Sequence, residues 1–107
     1  MEFENLMTKE ELAQVAVGTM KRWEVIVQHI TPVVASTHGE RDYHSIALLI
    51  VAGKDADDAI ERAYATEHLK DLFLLHDNMR VLFRLFGSGD SAIILDKDCE
   101  YYYEDLY

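Results

Sequence analysis

The chain of 107 residues has little cysteine and no long hydrophobic run, and both scarcities limit what it can be. Its one cysteine, Cys99, excludes an intrachain disulfide and fits a reducing compartment. The longest apolar run, Ile46 to Ala52, is far too short to span a bilayer. The acidic N-terminal residues lack the basic-then-apolar pattern of a signal peptide. These features predict a single-domain protein of the cytoplasm.

Positive charge is also scarce, because twenty acidic residues face ten basic ones and the net charge is −10. The last twenty residues contain six acids and one base, which gives −5, half of the total. Such a field opposes contact with phosphate backbones and anionic membranes and favours basic proteins. We therefore expect a basic protein partner, with no direct nucleic-acid binding and no membrane binding. Acidity that only keeps the protein soluble is the alternative.

Apolar residues recur at helical spacing through most of the chain, which predicts a mainly α-helical domain resembling a small four-helix bundle. Thr8 and Glu11 have the capping-box pattern at the start of the first helix. Asp55 is a suitable N-cap for the third helix. The second helix is ambiguous with a buried strand, since its apolar run is short; helix is favoured because its neighbours are predicted to be helical. The predicted helices cover residues 8–31, 41–52, 56–65 and 67–86.

The C-terminal segment, residues 91–107, is predicted to be an extended acidic and aromatic tail. SAIIL at 91–95 has the composition of a short strand, but the sequence does not show which strand would pair with it. The final residues, EYYYEDLY, combine tyrosine rings, which offer large contact areas, with carboxylates that complement arginine and lysine. The predicted partner-binding residues are Asp96, Asp98, Glu100, Tyr101, Tyr102, Tyr103, Glu104, Asp105 and Tyr107.

A tail of this chemistry suits a groove in which basic residues meet phosphates and aromatic residues meet bases. A protein that presents carboxylates and rings can occupy such a groove in place of nucleic acid. In size and charge the chain is similar to small phage anti-restriction and anti-CRISPR inhibitors and to the immunity proteins that block toxic nucleases. We therefore predict a non-enzymatic acidic binding protein, a nucleic-acid mimic in its chemistry, that blocks or regulates a basic partner.

Two other interpretations stay open. Arg62 and His68 resemble the Arg-x4-6-His signature of the HEPN ribonucleases, and this resemblance implies an all-helical enzyme that cleaves RNA. Here, however, Ala63 follows the arginine, where that family usually has a polar residue. The third interpretation is a structural subunit that forms a homodimer through a second apolar stripe on the last helix, made of Leu74, Val81 and Leu85.

No pattern in the sequence predicts a metal or another cofactor. His38, Glu40, Asp42 and His44 alternate in one segment, but a structural zinc site usually includes cysteine ligands, and the lone cysteine is distant. The acids beside Cys99 disfavour a thiolate, and so they argue against a catalytic cysteine.

Overall fold

A computed structural model describes residues 1–32, 41–76, 78–87, 91–96 and 101–105, and at 32, 91–92, 96 and 101–105 it describes the backbone alone. Within these ranges the chain forms three helices and six strands, an α+β fold that is mainly β. The strands are β1 (Glu2–Asn5), β2 (Lys21–Pro32), β3 (Arg41–Gly53), β4 (Met79–Leu85), β5 (Ser91–Asp96) and β6 (Tyr101–Asp105). The helices are α1 (Lys9–Ala16), α2 (Ala56–Tyr64) and α3 (Glu67–Leu75).

All six strands belong to one mixed sheet with the order β1-β3-β2-β4-β5-β6. β1 runs parallel to β3, and every other neighbouring pair is antiparallel. The long β2–β3 hairpin forms the middle of the sheet, and β5 lies between β4 and β6. The prediction of an all-α four-helix bundle is therefore wrong.

The first predicted helix, 8–31, is correct only at its start. The capping box is confirmed, since the Glu11 amide donates to the Thr8 hydroxyl at 3.1 Å and the Thr8 amide donates to Glu11 at 2.8 Å. The helix ends at Ala16, and Gly18 follows in the left-handed region with φ +85°, a conformation that glycine adopts without strain. Residues 21–32 then form β2, in which Val25 and Val27 face the core.

The predicted helices 41–52 and 67–86 are also corrected. The first is strand β3, because its apolar run pairs with β2 on one side and β1 on the other. In the second, helix α3 stops at Leu75, and Asn78, with a positive φ of 51°, precedes strand β4. The third helix was predicted at 56–65 and is observed at Ala56–Tyr64, with Asp55 accepting from the Asp58 amide at 2.8 Å.

The main core lies between one face of the sheet and helices α2 and α3. Ala59 and Ala63 of α2 and Leu69 and Leu72 of α3 pack on inward-facing residues of the central strands. Gly53 ends β3 where a Cβ atom would lie only 2.6 Å from the Ala59 nitrogen, so the close approach of α2 requires glycine there. The inward-facing strand residues are Val25, Val27, Ala47, Leu49, Val51, Met79, Val81, Phe83, Ile93 and Leu95.

Candidate functional site

The structure places five of the nine predicted partner-binding residues, those of positions 101–105, on the strand at one edge of the sheet. Residues 101–105 form β6, and its register sets Tyr101, Tyr102 and Tyr103 opposite Leu95, Ile94 and Ile93 of β5. Asp96 is the last residue of β5 and is opposite Arg80 of β4. The remaining predicted residues, Asp98, Glu100 and Tyr107, lie outside the described residues.

The edge position gives β6 two properties that matter for binding. Among the described strands β6 has a neighbour on one side only, and the backbone N–H and C=O groups of its other side can pair with an added strand. Residues 96–105 contain five acids and one base, which gives −4, so the segment also attracts cations. This arrangement can combine main-chain pairing with selection for a basic partner.

The residues predicted to form a dimer stripe lie on two different elements. Leu74 is near the end of α3 and is 86% exposed, whereas Val81 is fully buried in β4 under the helices. Leu85 is half-buried at the end of β4. The interpretation of these residues as one helical surface is therefore wrong, and the homodimer itself stays a prediction.

Arg62 and His68 contact different carboxylates. Arg62 Nη1 lies 3.0 Å from Glu11 Oε2, and its Nε lies 3.1 Å from Asp58 Oδ1. His68 Nε2 lies 2.5 Å from a Glu2 oxygen, an ion pair when the imidazole is protonated, although the geometry is not that of a hydrogen bond. The strand-rich fold is not the all-helical fold that the HEPN resemblance implies.

Arg62 forms part of a polar groove between α1 and the α2–α3 pair, with a volume of about 560 Å³. The Lys54 amide donates to Asp58 at 2.8 Å and, with Arg62 alongside, lowers the pKa of that carboxyl. Asp58 and then Glu11 raise the pKa of the Arg62 guanidinium by hydrogen bonding. The residues that line the groove are Leu6, Thr8, Glu10, Glu11, Gln14, Met20, Lys54, Arg62, Ala65 and Thr66.

No pattern in the sequence indicates this groove. The charged residues at the groove belong to short-range motifs, since Glu11 is part of a capping box and Asp58 lies in the first turn of α2. The contact that joins them, Arg62 to Glu11, spans 51 residues of sequence, and no spacing pattern reports a contact at that range.

A second, apolar groove of about 260 Å³ lies on the other side of α1. The exposed rings of Phe3 and Phe86 line it with Leu12, over a floor formed by Ile50. Arg22 and Asn5 supply its polar groups. Nothing in the described part of the chain covers these rings.

Histidines cluster loosely at one end of the sheet. His29 is opposite His44 across β2 and β3, and the ring centroids of His29 and His76 are 6.2 Å apart. In the ranges that the structure describes, no three His, Cys, Asp or Glu side chains are arranged to hold a metal ion. Of the predicted polar segment, Asp42 and His44 lie on β3, and His38 and Glu40 fall outside those ranges.

Comparison with known proteins returns no match to a family model, a curated protein or a solved structure. None of the described helices is long and apolar enough to cross a membrane.

Proposed function

We propose that this protein is a non-enzymatic binding protein that blocks or regulates a basic partner, and that the partner docks at the β6 edge of the sheet. The observation that carries the proposal is the position of the tyrosine-rich acidic segment, which forms the last strand at one edge of the sheet. A strand there keeps one row of backbone groups available to another chain. Residues 96–105, which include β6, make up about a tenth of the chain and carry two fifths of its net charge, −4 of −10.

The charge of this edge determines which partner it suits. Carboxylates form charge-assisted hydrogen bonds with arginine and lysine, and an acidic field speeds the encounter with a basic surface. Tyrosine adds contact area at a small cost in side-chain entropy and also donates a hydrogen bond. A partner whose basic groove normally holds nucleic acid suits both features of this edge. Such grooves combine cations, which complement the carboxylates, with aromatic rings, which complement the tyrosines.

The experiment begins with a pull-down from host lysate and identification of the captured protein by mass spectrometry. Binding rates of the purified pair are then measured for two variants. Replacing Tyr101, Tyr102 and Tyr103 by alanine should mainly speed dissociation, because buried aromatic anchors usually dominate binding energy. The variant Glu100→Gln, Glu104→Gln, Asp105→Asn should mainly slow association, and raising the salt concentration should slow association of the unmodified protein.

A matched control removes the same charge elsewhere. Glu61→Gln, Glu67→Gln and Asp71→Asn neutralise three exposed acids on α2 and α3, away from β6. This control should leave the association rate within about twofold of the unmodified protein, since steering depends on charge near the contact. If the control slows association as much as the β6 variant, only net charge matters and the proposed docking edge is rejected.

The absence of enzymatic activity is tested separately. The purified protein is expected to leave single-stranded RNA intact, because Arg62 is paired with Glu11 and Asp58 and the strand-rich fold is not the all-helical one that the HEPN resemblance implies. RNA cleavage that Arg62→Ala or His68→Ala abolishes would replace this proposal with the ribonuclease interpretation.

A further inference from the structure

The groove between α1 and the α2–α3 pair contains exposed charged groups of both signs. The Lys54 ammonium attracts the Asp58 carboxylate but makes no hydrogen bond or ion pair with a described side chain, and the Glu10 carboxylate and the Gln14 amide make none either. All three side chains are exposed at the groove surface. A groove with an exposed cation and an exposed anion is suited to a ligand that carries both charges.

The wall beside these groups is fixed. Glu11 uses one carboxylate oxygen for the Thr8 amide and the other for Arg62. Arg62 in turn uses Nε for Asp58 and Nη1 for Glu11, and its fork retains the Nη2 donors. The guanidinium is therefore held in one orientation with donors to spare, and each Glu11 oxygen already accepts one hydrogen bond.

The floor of the groove is apolar. Leu6, Met20 and Ala65 line it, and Met20 is buried. The volume of about 560 Å³ falls within the range of roughly 300–1,000 Å³ that is typical of small-molecule sites. An apolar side chain placed on this floor would lose contact with water while polar ends of the ligand remained at the rim.

We propose that this groove binds a small zwitterion with apolar side chains, of the size of a dipeptide. Its carboxylate contacts Lys54 and the free edge of Arg62, its ammonium contacts Glu10, and its side chains rest on Leu6 and Met20. A purely anionic ligand would meet Glu10, and a purely cationic one would meet Lys54 and Arg62. This inference is independent of partner binding at β6.

The probe is L-leucyl-L-leucine, with its N-acetyl and C-terminal amide forms as controls that each remove one charge. Isothermal titration calorimetry on the full chain should show saturable binding of the unblocked dipeptide. Each blocked form should bind about tenfold more weakly or worse, since one charge-assisted hydrogen bond is lost. No measurable binding of the dipeptide, or equal binding of the blocked forms, would overturn the proposal.

Two variants locate the site. Lys54→Met and Glu10→Gln should each weaken dipeptide binding about tenfold, and their circular dichroism should match that of the unmodified protein because both residues are exposed. Lys70→Met and Glu61→Gln, which change exposed charges of the same kind on α3 and α2, should not change the affinity. Unchanged affinity in the first pair, or equal losses in both pairs, would rule out this groove. The groove variants should leave partner binding at β6 unaffected, so the two proposals fail separately.

Discussion

The two faces of the sheet are buried by different means. On one face, α2 and α3 cover apolar residues such as Val25, Leu49 and Phe83, which are fully buried. On the other face, Leu82 and Ile94 are also buried, with Ile26 packed beside them, yet no described helix contributes to that cluster. Within the described residues, the two clusters thus differ in whether a helix packs on them.

Long polar side chains lie beside the row on β2 and β4. Arg84 Nε lies 2.6 Å from Glu24 Oε2, and Arg80 Nε donates to Gln28 at 2.8 Å. The Arg80 guanidinium also lies 3.4 Å from the centre of the Tyr43 ring, and this arginine is only 8% exposed. Arginine stems bury their methylene groups on apolar surface while the charged heads stay paired. Paired polar side chains of β2 and β4 therefore flank the apolar row.

The largest expected effect is on the free energy of unfolding, and it differs between Phe83 and Leu82, which are neighbours on β4 and face opposite sides of the sheet. Phe83→Ala should lower the free energy of unfolding by about 3–5 kcal/mol, because it leaves a cavity under α2. Leu82→Ala should cost about 2–3 kcal/mol, since the arginines beside it can move partly into the space. Urea unfolding followed by circular dichroism measures both. If Leu82→Ala costs less than about 0.5 kcal/mol, the second face is not packed as described.

The next effect tests the shielding by arginine. Arg84→Ala should cost about 1–2 kcal/mol, because it removes both the stem that covers the apolar row and the ion pair with Glu24. Arg84→Met keeps most of the stem and should recover about half of that loss. Glu24→Gln provides the control that weakens only the ion pair and should cost well under 1 kcal/mol. Equal losses for Met and Ala at position 84 would assign the whole effect to charge.

A smaller effect concerns the acid sensitivity of the Arg62 cluster. The pKa of Asp58 is lowered in the folded protein, chiefly by the hydrogen bond from the Lys54 amide. Its contribution to stability is therefore complete above the ordinary aspartate pKa of about 4 and is lost as the pH falls through the lower folded value. Because the group is partly exposed, the contribution should be about 1 kcal/mol or less.

Asp58→Asn makes this measurable. The difference in unfolding free energy between the unmodified protein and the variant should be constant above about pH 5 and should shrink below about pH 4. Asp57→Asn, an exposed neighbour in the same helical turn, serves as the control. A difference that stays constant down to pH 2 would show that the Asp58 carboxylate is not stabilised in the folded state.

The sequence predicted local features well and the sheet poorly. The capping box of α1 and the N-cap at Asp55 depend on residues three apart, and both are observed. The predicted helix 67–86 included the residues of β4 because their apolar residues recur at helical spacing, but residues four apart also share a face of a strand. β4 carries apolar residues on both faces, since each face is buried, and such a run has no clear period of two.

The candidate sites show the same limit. The composition of EYYYEDLY indicated a binding segment, but its pairing with β5 follows from a register that composition does not contain. The strand-like segment at 91–95 lacked an identifiable partner for the same reason, since its neighbours β4 and β6 become visible only in the assembled sheet. The groove near Arg62 likewise depends on a contact between two distant helices.

The smallest stability effect is expected at the exposed end of α3, the one part of the predicted dimer stripe that the fold leaves accessible. Leu74 and its neighbour Leu75 are 86% and 76% exposed, and neighbouring apolar side chains at the surface mark contact sites when they form a patch. Leu74→Glu should change the free energy of unfolding by no more than about 0.5 kcal/mol, because the side chain packs on little in the monomer.

The same variant tests the homodimer. Sedimentation equilibrium should show concentration-dependent dimers for the unmodified protein and monomers for Leu74→Glu, since a buried unpaired carboxylate opposes association. Leu74→Met keeps an apolar side chain of similar size and should still dimerise. Dimers in Leu74→Met but not in Leu74→Glu would show that an apolar side chain at this position is what the dimer requires, and not the exact shape of leucine. Val81 needs no test at this surface, because it is fully buried in the core. If the unmodified protein is monomeric at every concentration, the dimer prediction is wrong and the exposed leucines have no self-association role.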